Sequence, residues 1–204
     1  MNFINTSSLT NVLSIIKQRT YCNVHNIIYI IEDPAQITPI TPRIKIHYVK
    51  IKDVMELRKY ANLDKKIKQE FIKFSYFLKH GVTVYLAIHN ADIAGYYLVT
   101  NLNKFKPYLY NSHKLFQTSK NRYYIFHCHT FKEYRGNSIY PYMLAVISKE
   151  IFNKNRESVI YISTSLNNIA SQRGIEKAGF KKLGIIKYLQ LGPMVLKCES
   201  PEGN

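Results

Sequence analysis

The sequence predicts an α/β (α+β) fold: a mixed, mostly antiparallel sheet flanked by helices. Two observations carry this. Apolar periodicity gives the element order β-α-α-β-β-β-α-β-α-β-β from residue 44 onward. Within that order a mostly antiparallel first half is followed by strand, turn, helix, strand and helix, which argues for a mixed sheet with helices on both faces.

The elements follow in chain order. Residues 1–40 read as an N-terminal extension, a helix plus a strand packed on a domain formed by 41–204. Thr6-Ser7-Ser8 can cap a short helix reaching about Arg19, and Asn26 to Ile31 reads as a strand. Pro34, Pro39 and Pro42 then break the chain. Residues 44–51 alternate Ile44, Ile46 and Tyr48 with Lys45 and His47, the pattern of a half-buried strand. Asp53 is a plausible N-cap for a helix with Val54, Leu57, Arg58 and Leu63 at helical spacing. A second helix runs from Lys65 to Lys79 and ends at Gly81. Val82–His89 and Ile93–Thr100 are strands joined by Asn90-Ala91-Asp92, a hairpin signal. Residues 101–120 are polar, contain Pro107 and form a long loop, a feature that is often functional in compact domains.

Arg122–Thr130 is a strand and Glu133–Tyr140 a turn. Pro141 suits the first turn of a helix, where its missing N–H costs nothing. That helix continues through Met143, Leu144, Ile147, Ile151 and Phe152. Val159–Ser163 is a strand, Asn167–Lys177 a helix closed by Gly179, and Phe180–Tyr188 and Leu191–Lys197 are the last strands.

Composition narrows the function classes. A chain of 204 residues with 46% hydrophobic and 21% charged residues is ordinary for one soluble domain with a full core. Apolar runs such as Ile27–Ile31 are far too short to span a bilayer. The N-terminus lacks a basic segment followed by an apolar stretch and a small-residue cleavage site, so no secretory signal is expected. Cys22, Cys128 and Cys198 are odd in number and lack metal-ligand spacing, so neither a disulfide framework nor a metal site is expected. A cytoplasmic location follows as the expectation. The net charge of +16 admits an anionic partner, but the basic residues are spread along a chain rich in Lys, Asn, Ile and Tyr, which favours a compositional origin. Without a recognised motif, a nucleic-acid partner is not expected.

Two units carry chemistry. The first is the strand, turn and helix over 122–152. A turn that presents backbone N–H groups at a helix N-terminus is a ready anion site, with Gly136 permitting close backbone approach and Arg135 adding charge. The second is Ser165-Leu166-Asn167-Asn168-Ile169-Ala170-Ser171 leading to Glu176-Lys177-Ala178-Gly179-Phe180. Together they resemble the GNAT acetyltransferase superfamily. Arg135 to Tyr140 occupies the frame of its pyrophosphate loop, Arg/Gln-x-x-Gly-x-Gly/Ala. Asn168, Ser171, Glu176, Lys177, Gly179 and Phe180 match its later helix.

The resemblance implies a splayed central strand pair and acyl transfer from acetyl-CoA, or another acyl-CoA, to an amine, with no metal. It places the pyrophosphate on the backbone of Arg135, Gly136, Asn137, Ser138, Ile139 and Tyr140. The pantetheine arm would pair with Cys128, His129 and Thr130, with Asn168 and Ser171 reaching the cofactor from the later helix. The acceptor it implies is a small-molecule amine; an amino sugar, sugar nucleotide, amino acid or polyamine all qualify. Ser138-Ile139-Tyr140-Pro141 resembles a Gly-Ile-Tyr-Pro loop of a GNAT subgroup associated with surface-polysaccharide or amino-sugar pathways. A homodimer is compatible with the fold. Acylation of a protein or peptide terminus, and a non-catalytic CoA-binding regulatory module, are the other readings.

The sequence departs from that pattern in three places. Ser138 and Tyr140 replace the two later glycines; Tyr140 must turn away from the pyrophosphate or line the acceptor site. Ile175 stands where many members carry a Tyr general acid. The usual base, a Glu on the strand before the loop, is matched by Tyr124, which leaves His127 and His129 on one strand face as candidate catalytic bases, against a plain packing role for both. Glu133 on the turn reads as a solvated carboxylate, and Cys128 as a small core residue rather than a nucleophile. The aromatics of Phe71–Phe77 read as core and cleft wall. Tyr96, Tyr97, Tyr108 and Tyr110 flank the long loop and are candidates to shape an acceptor pocket, with core packing an equal reading for Tyr96 and Tyr97.

Overall fold

The computed structural model describes residues 21–104, 121–191 and 194–199. The helix expected at 6–19, most of the long loop, and Tyr108 and Tyr110 lie outside them. The described strands are β1 (Tyr21–Ile31), β2 (His47–Ile51), β3 (Thr83–His89), β4 (Asp92–Asn101), β5 (Arg122–Thr130), β6 (Val159–Ser165), β7 (Lys181–Leu191) and β8 (Met194–Glu199). The α-helices are α1 (Val54–Leu63), α2 (Lys65–Lys79), α3 (Ile139–Lys154) and α4 (Ile169–Lys177). The strands form one sheet in the order β2-β3-β4-β5-β6-β1-β7-β8. Every neighbouring pair is antiparallel except β5 and β6.

Local signals account for the helices. Asp53 caps α1 by accepting from Glu56 N at 2.8 Å, and Asp64 ends α1 and caps α2 by accepting from Lys66 N at 2.7 Å. The β3–β4 hairpin turns on Asn90 and Ala91, both at positive φ (54° and 109°), as a tight turn matched to the strand twist requires. The strand expected over 44–51 is shorter and begins at His47, although Ile44 and Ile46 still pack on the core.

The core lies on both faces of the sheet. On β3, Val84, Leu86 and Ile88 face α1 and α2, while Tyr85 and Ala87 face the α3 side. On β4, Leu98 faces the first layer, and Tyr97 and Val99 the second. This double burial is why both strands read as nearly continuous apolar runs. Phe74 of α2 is fully buried and meets Tyr96 edge-on at 4.9 Å, so Phe71–Phe77 forms core, with Tyr76 exposed.

The segment before residue 40 contributes more than a strand packed on the outside. β1 is an inner strand, paired with β6 along one edge and β7 along the other. Ile27, Tyr29 and Ile31 enter the α3-side core, and Tyr29 Oη donates to Glu176 Oε1 of α4 at 3.1 Å. Position in the sheet is set by long-range pairing, which apolar periodicity does not encode.

Phe74→Ala should destabilise the fold by about 3–5 kcal/mol, through lost burial and the cavity left behind. Urea unfolding followed by circular dichroism checks this; a loss under about 1 kcal/mol would mean that the α2 layer is not a packed core.

Candidate active site

The site begins with a mismatch between β4 and β5. Tyr96 pairs with His129, and Leu98 with Phe126. Two steps on β4 therefore face three on β5, and the extra residue is a bulge. His127 sits in it at φ 50°, a left-handed conformation uncommon for a residue with a side chain. Bulges bend and twist the strand that holds them. The parallel pairing of β5 with β6 stops at Ile125 opposite Ile162, while β6 runs on to Ser165 along β1. The central pair splays from there. Tyr124, in the place of the usual glutamate, lies at the root of the opening, where its hydroxyl meets Ser163 Oγ at 2.7 Å.

A cleft of about 580 Å³ fills the space between the end of β5, the following turn and α4. Cys128, His129, Thr130, Arg135, Gly136, Ser138, Ile139, Tyr140, Asn168 and Ser171 all line it. Of the residues expected to be catalytic or cofactor-binding, His127 and Asn137 do not. Asn137 turns back and donates from Nδ2 to Tyr134 O at 3.1 Å, bracing the turn.

The turn is shaped for an anion. Gly136 has φ 82° and Ser138 φ 58°, so the chain doubles back just before α3. The N–H groups of Ser138, Ile139 and Tyr140 stand at a helix N-terminus, where no intrahelical acceptor exists, and the helix dipole adds positive potential. Arg135 folds over the strand end, donating from Nε to Thr130 O at 3.1 Å. Lys177 of α4 reaches across to Ser138 Oγ at 3.2 Å. Arg173, Gly174 and Lys177 also line the cleft, though the motif comparison did not single them out as ligands. Their signal was helical spacing: Ala170, Gly174 and Lys177 fall at i, i+4 and i+7 on one face.

Tyr140 does turn away from the turn's N–H groups. Its ring stacks on Tyr97 at 6.1 Å and lies against Gly174, where a Cβ would come within 2.5 Å of Tyr140 Cδ1. Its hydroxyl pairs with Ser171. Burial, helped by Cys128, holds its pKa well above the ordinary value, so Tyr140 keeps its proton. Asn168 caps α4, its Oδ1 accepting from Ser171 N at 3.1 Å, which leaves its amide N–H groups for the cleft. Ile175 is fully buried in the core and presents nothing to the cleft.

His127 and His129 do share a face. Tyr96 contacts both rings, at 5.7 Å and 5.5 Å, and His129 also meets Phe131 at 4.9 Å. Glu70 of α2 interacts with Tyr96 and with both histidines, a neighbour that strand periodicity could not reveal. Burial and then Lys73 hold the His127 pKa below its ordinary value near 6.5; burial and then Arg135 do the same for His129. Both are therefore neutral near pH 7 and can accept a proton. Burial also raises the Cys128 thiol pKa far above the ordinary value, which fits a core residue and not a nucleophile. Glu133 is ion-paired with Lys66 at the surface.

No family model matches the chain, and no curated protein matches its sequence. Solved structures match its fold. An acetyltransferase of the GNAT family from Colwellia psychrerythraea superposes with TM-score 0.53 at 12% identity, covering 89% of this chain and 60% of that one. A tandem GNAT protein from the clavulanic acid biosynthesis pathway gives 0.53 at 10%, covering 83% and 55%. The fold is GNAT-like. A functionally unknown conserved protein from Staphylococcus epidermidis also shares it, with TM-score 0.56 at 11% identity, covering 89% and 67%. This chain thus spans between about half and two thirds of the length of these GNAT-fold neighbours. Among the described residues, no helix is long and apolar enough to cross a membrane, and no three His, Cys, Asp or Glu are grouped to hold a metal.

The depressed histidine pKa values carry a sign. Below about pH 6.5 the unfolded chain takes up protons that folded His127 and His129 resist. Stability is therefore full above that pH and is lost as pH falls through the folded values. Histidine NMR titration should place both below 6.5, and His127→Gln should reduce the drop in Tm between pH 7.5 and pH 5. Values at or above 6.5 would show that their surroundings do not hold the two rings neutral.

Proposed function

We propose that this protein is an N-acyltransferase that moves an acetyl or other acyl group from acyl-CoA to the amine of a small molecule. The observation that carries this is the convergence, in one cleft, of the splayed β5 edge, the cationic turn at the α3 N-terminus and the Asn168 cap. The donor set suits a pyrophosphate: helix N-terminal amides together with Arg135, Arg173 and Lys177. The edge of β5 over Cys128–Thr130, which pairs with no strand on the β6 side among the described residues, offers backbone groups to an amide-bearing arm once Arg135 releases Thr130 O. When bound, the thioester supplies an acyl group activated toward amines.

The chain's own residues would position, shield and move protons. Arg135 and Lys177, with the turn amides, hold the polyanionic end. Tyr140, backed by the buried Tyr97, walls one side of the cleft against water. His129 is the proposed base, because it both lines the cleft and is held neutral, and it would take the proton of the incoming ammonium. His127 is held in the bulge and supports the Tyr96 stack, which makes it the second candidate. The amine attacks directly, so no covalent enzyme intermediate is needed. The buried Ile175 favours one further reading, a module that binds CoA without turnover.

Acetyl-CoA should raise the Tm, since a ligand that binds only the native state stabilises it. Lys177→Gln should reduce that rise; no shift in wild type at saturating acetyl-CoA would end both readings. A thiol-release assay with a panel of amines then separates turnover from binding alone. His129→Gln should lower kcat/KM at pH 7 by roughly 100-fold and abolish the acidic limb of the pH profile. An unchanged rate and profile would exclude His129 as the base.

A further inference from the structure

A second concavity lies at the end of α3 remote from the cleft. It has a volume of about 210 Å³ and opens where the end of β2, the start of β3, the end of β4, the start of β5 and the last turn of α3 meet. Lys50, Lys52, Lys104 and Lys154 line it, together with Tyr85 and Tyr123, and no Asp or Glu is among its lining residues. The 16 residues of α3 put it about 24 Å from the cationic turn at the other end.

These lysines belong to a built arrangement. Glu150, one helical turn before Lys154, accepts from Lys50 Nζ at 2.7 Å, Tyr48 Oη at 2.8 Å and Tyr85 Oη at 2.9 Å. Although burial works against its charge, these three donors hold its carboxyl below the ordinary pKa, so it is ionised and fully engaged. That carboxylate balances one ammonium. Among the described residues, Lys52, Lys104 and Lys154 make no ion pair. The Lys154 ammonium stands beside that of Lys50, and this neighbour, followed by burial, holds its pKa below the ordinary value. The negative end of α3 favours one cation here, not four. Several like charges gathered in a concavity set up a strong local potential for a counter-ion.

We infer that this pocket binds a compact, multiply charged anion of the phosphate class. A singly charged carboxylate would leave most of the positive charge unmatched. Phosphate oxygens suit lysine ammoniums, which act as point charges, and the Thr83 and Tyr123 hydroxyls can add donors. The site is separate from the cleft and does not depend on acyl transfer there.

Isothermal titration of the whole protein with inorganic tripolyphosphate in 0.15 M salt tests this. Two saturable sites are expected, one at the anion-shaped turn that acetyl-CoA displaces and one in this pocket, the latter weakened at least about 10-fold in Lys154→Gln and in Lys52→Gln. Binding in this pocket should be unchanged in Lys68→Gln, an exposed lysine of α2, and unaffected by saturating acetyl-CoA. Lys52 is itself exposed, so its replacement leaves the fold intact even if Lys154→Gln does not. Absence of a saturable site that persists in saturating acetyl-CoA, or an equal loss in Lys68→Gln, would each overturn the inference.

Discussion

β5 carries one residue more than β4 can match, and the sheet resolves this by placing His127 in a left-handed bulge. A backbone conformation of that kind costs on the order of 1–3 kcal/mol and persists only where its surroundings hold it. Here the stack of Tyr96 against His127 and His129, backed by Phe74, does so. The bend it imposes frees β5 from β6 beyond Ile125, and the opening becomes the cleft. Without it, β5 and β6 could pair to their ends, and the turn before α3 would have no cavity to face. The position of His129 at the cleft and the direction in which the chain enters the turn both follow from the same bend.

Electrostatics then divides the molecule along α3. At its N-terminus, free amides and the dipole add to Arg135 and Lys177. At its C-terminus, Glu150 fixes one lysine among four. The cations are spread along the chain and are not massed in one segment. Two concavities nevertheless gather them, because lysines and arginines far apart in sequence meet wherever strand ends and helix ends converge.

Much of the fold was legible in the residues because its signals are local. α2 spans Lys65–Lys79 as expected, since its apolar residues repeat at helical spacing and Asp64 and Gly81 bound it. The hairpin at Asn90 and Ala91 was legible from its turn chemistry. The candidate cleft was legible in outline from two motifs, and Cys128, His129, Thr130, Arg135, Gly136, Ser138, Ile139, Tyr140, Asn168 and Ser171 do converge. Asn137 was picked out by its place in the turn, but its side chain satisfies Tyr134 O instead. Glu70 was missed because its partners lie on a different element, and no pattern within α2 marks it.

What the sequence by itself determined is each element's type and approximate span, and the turn before α3, because periodicity, capping and turn residues act over a few neighbouring positions. Only the tertiary structure decided where β1 inserts, which way Tyr140 turns and that β5 bulges at His127. Each depends on contacts between residues distant in sequence. β1 lies between β6 and β7 because both offer it free edges. Tyr140 leans on Tyr97 because Gly174 leaves it room. The bulge arises from register between two strands, with no glycine at His127 to announce it.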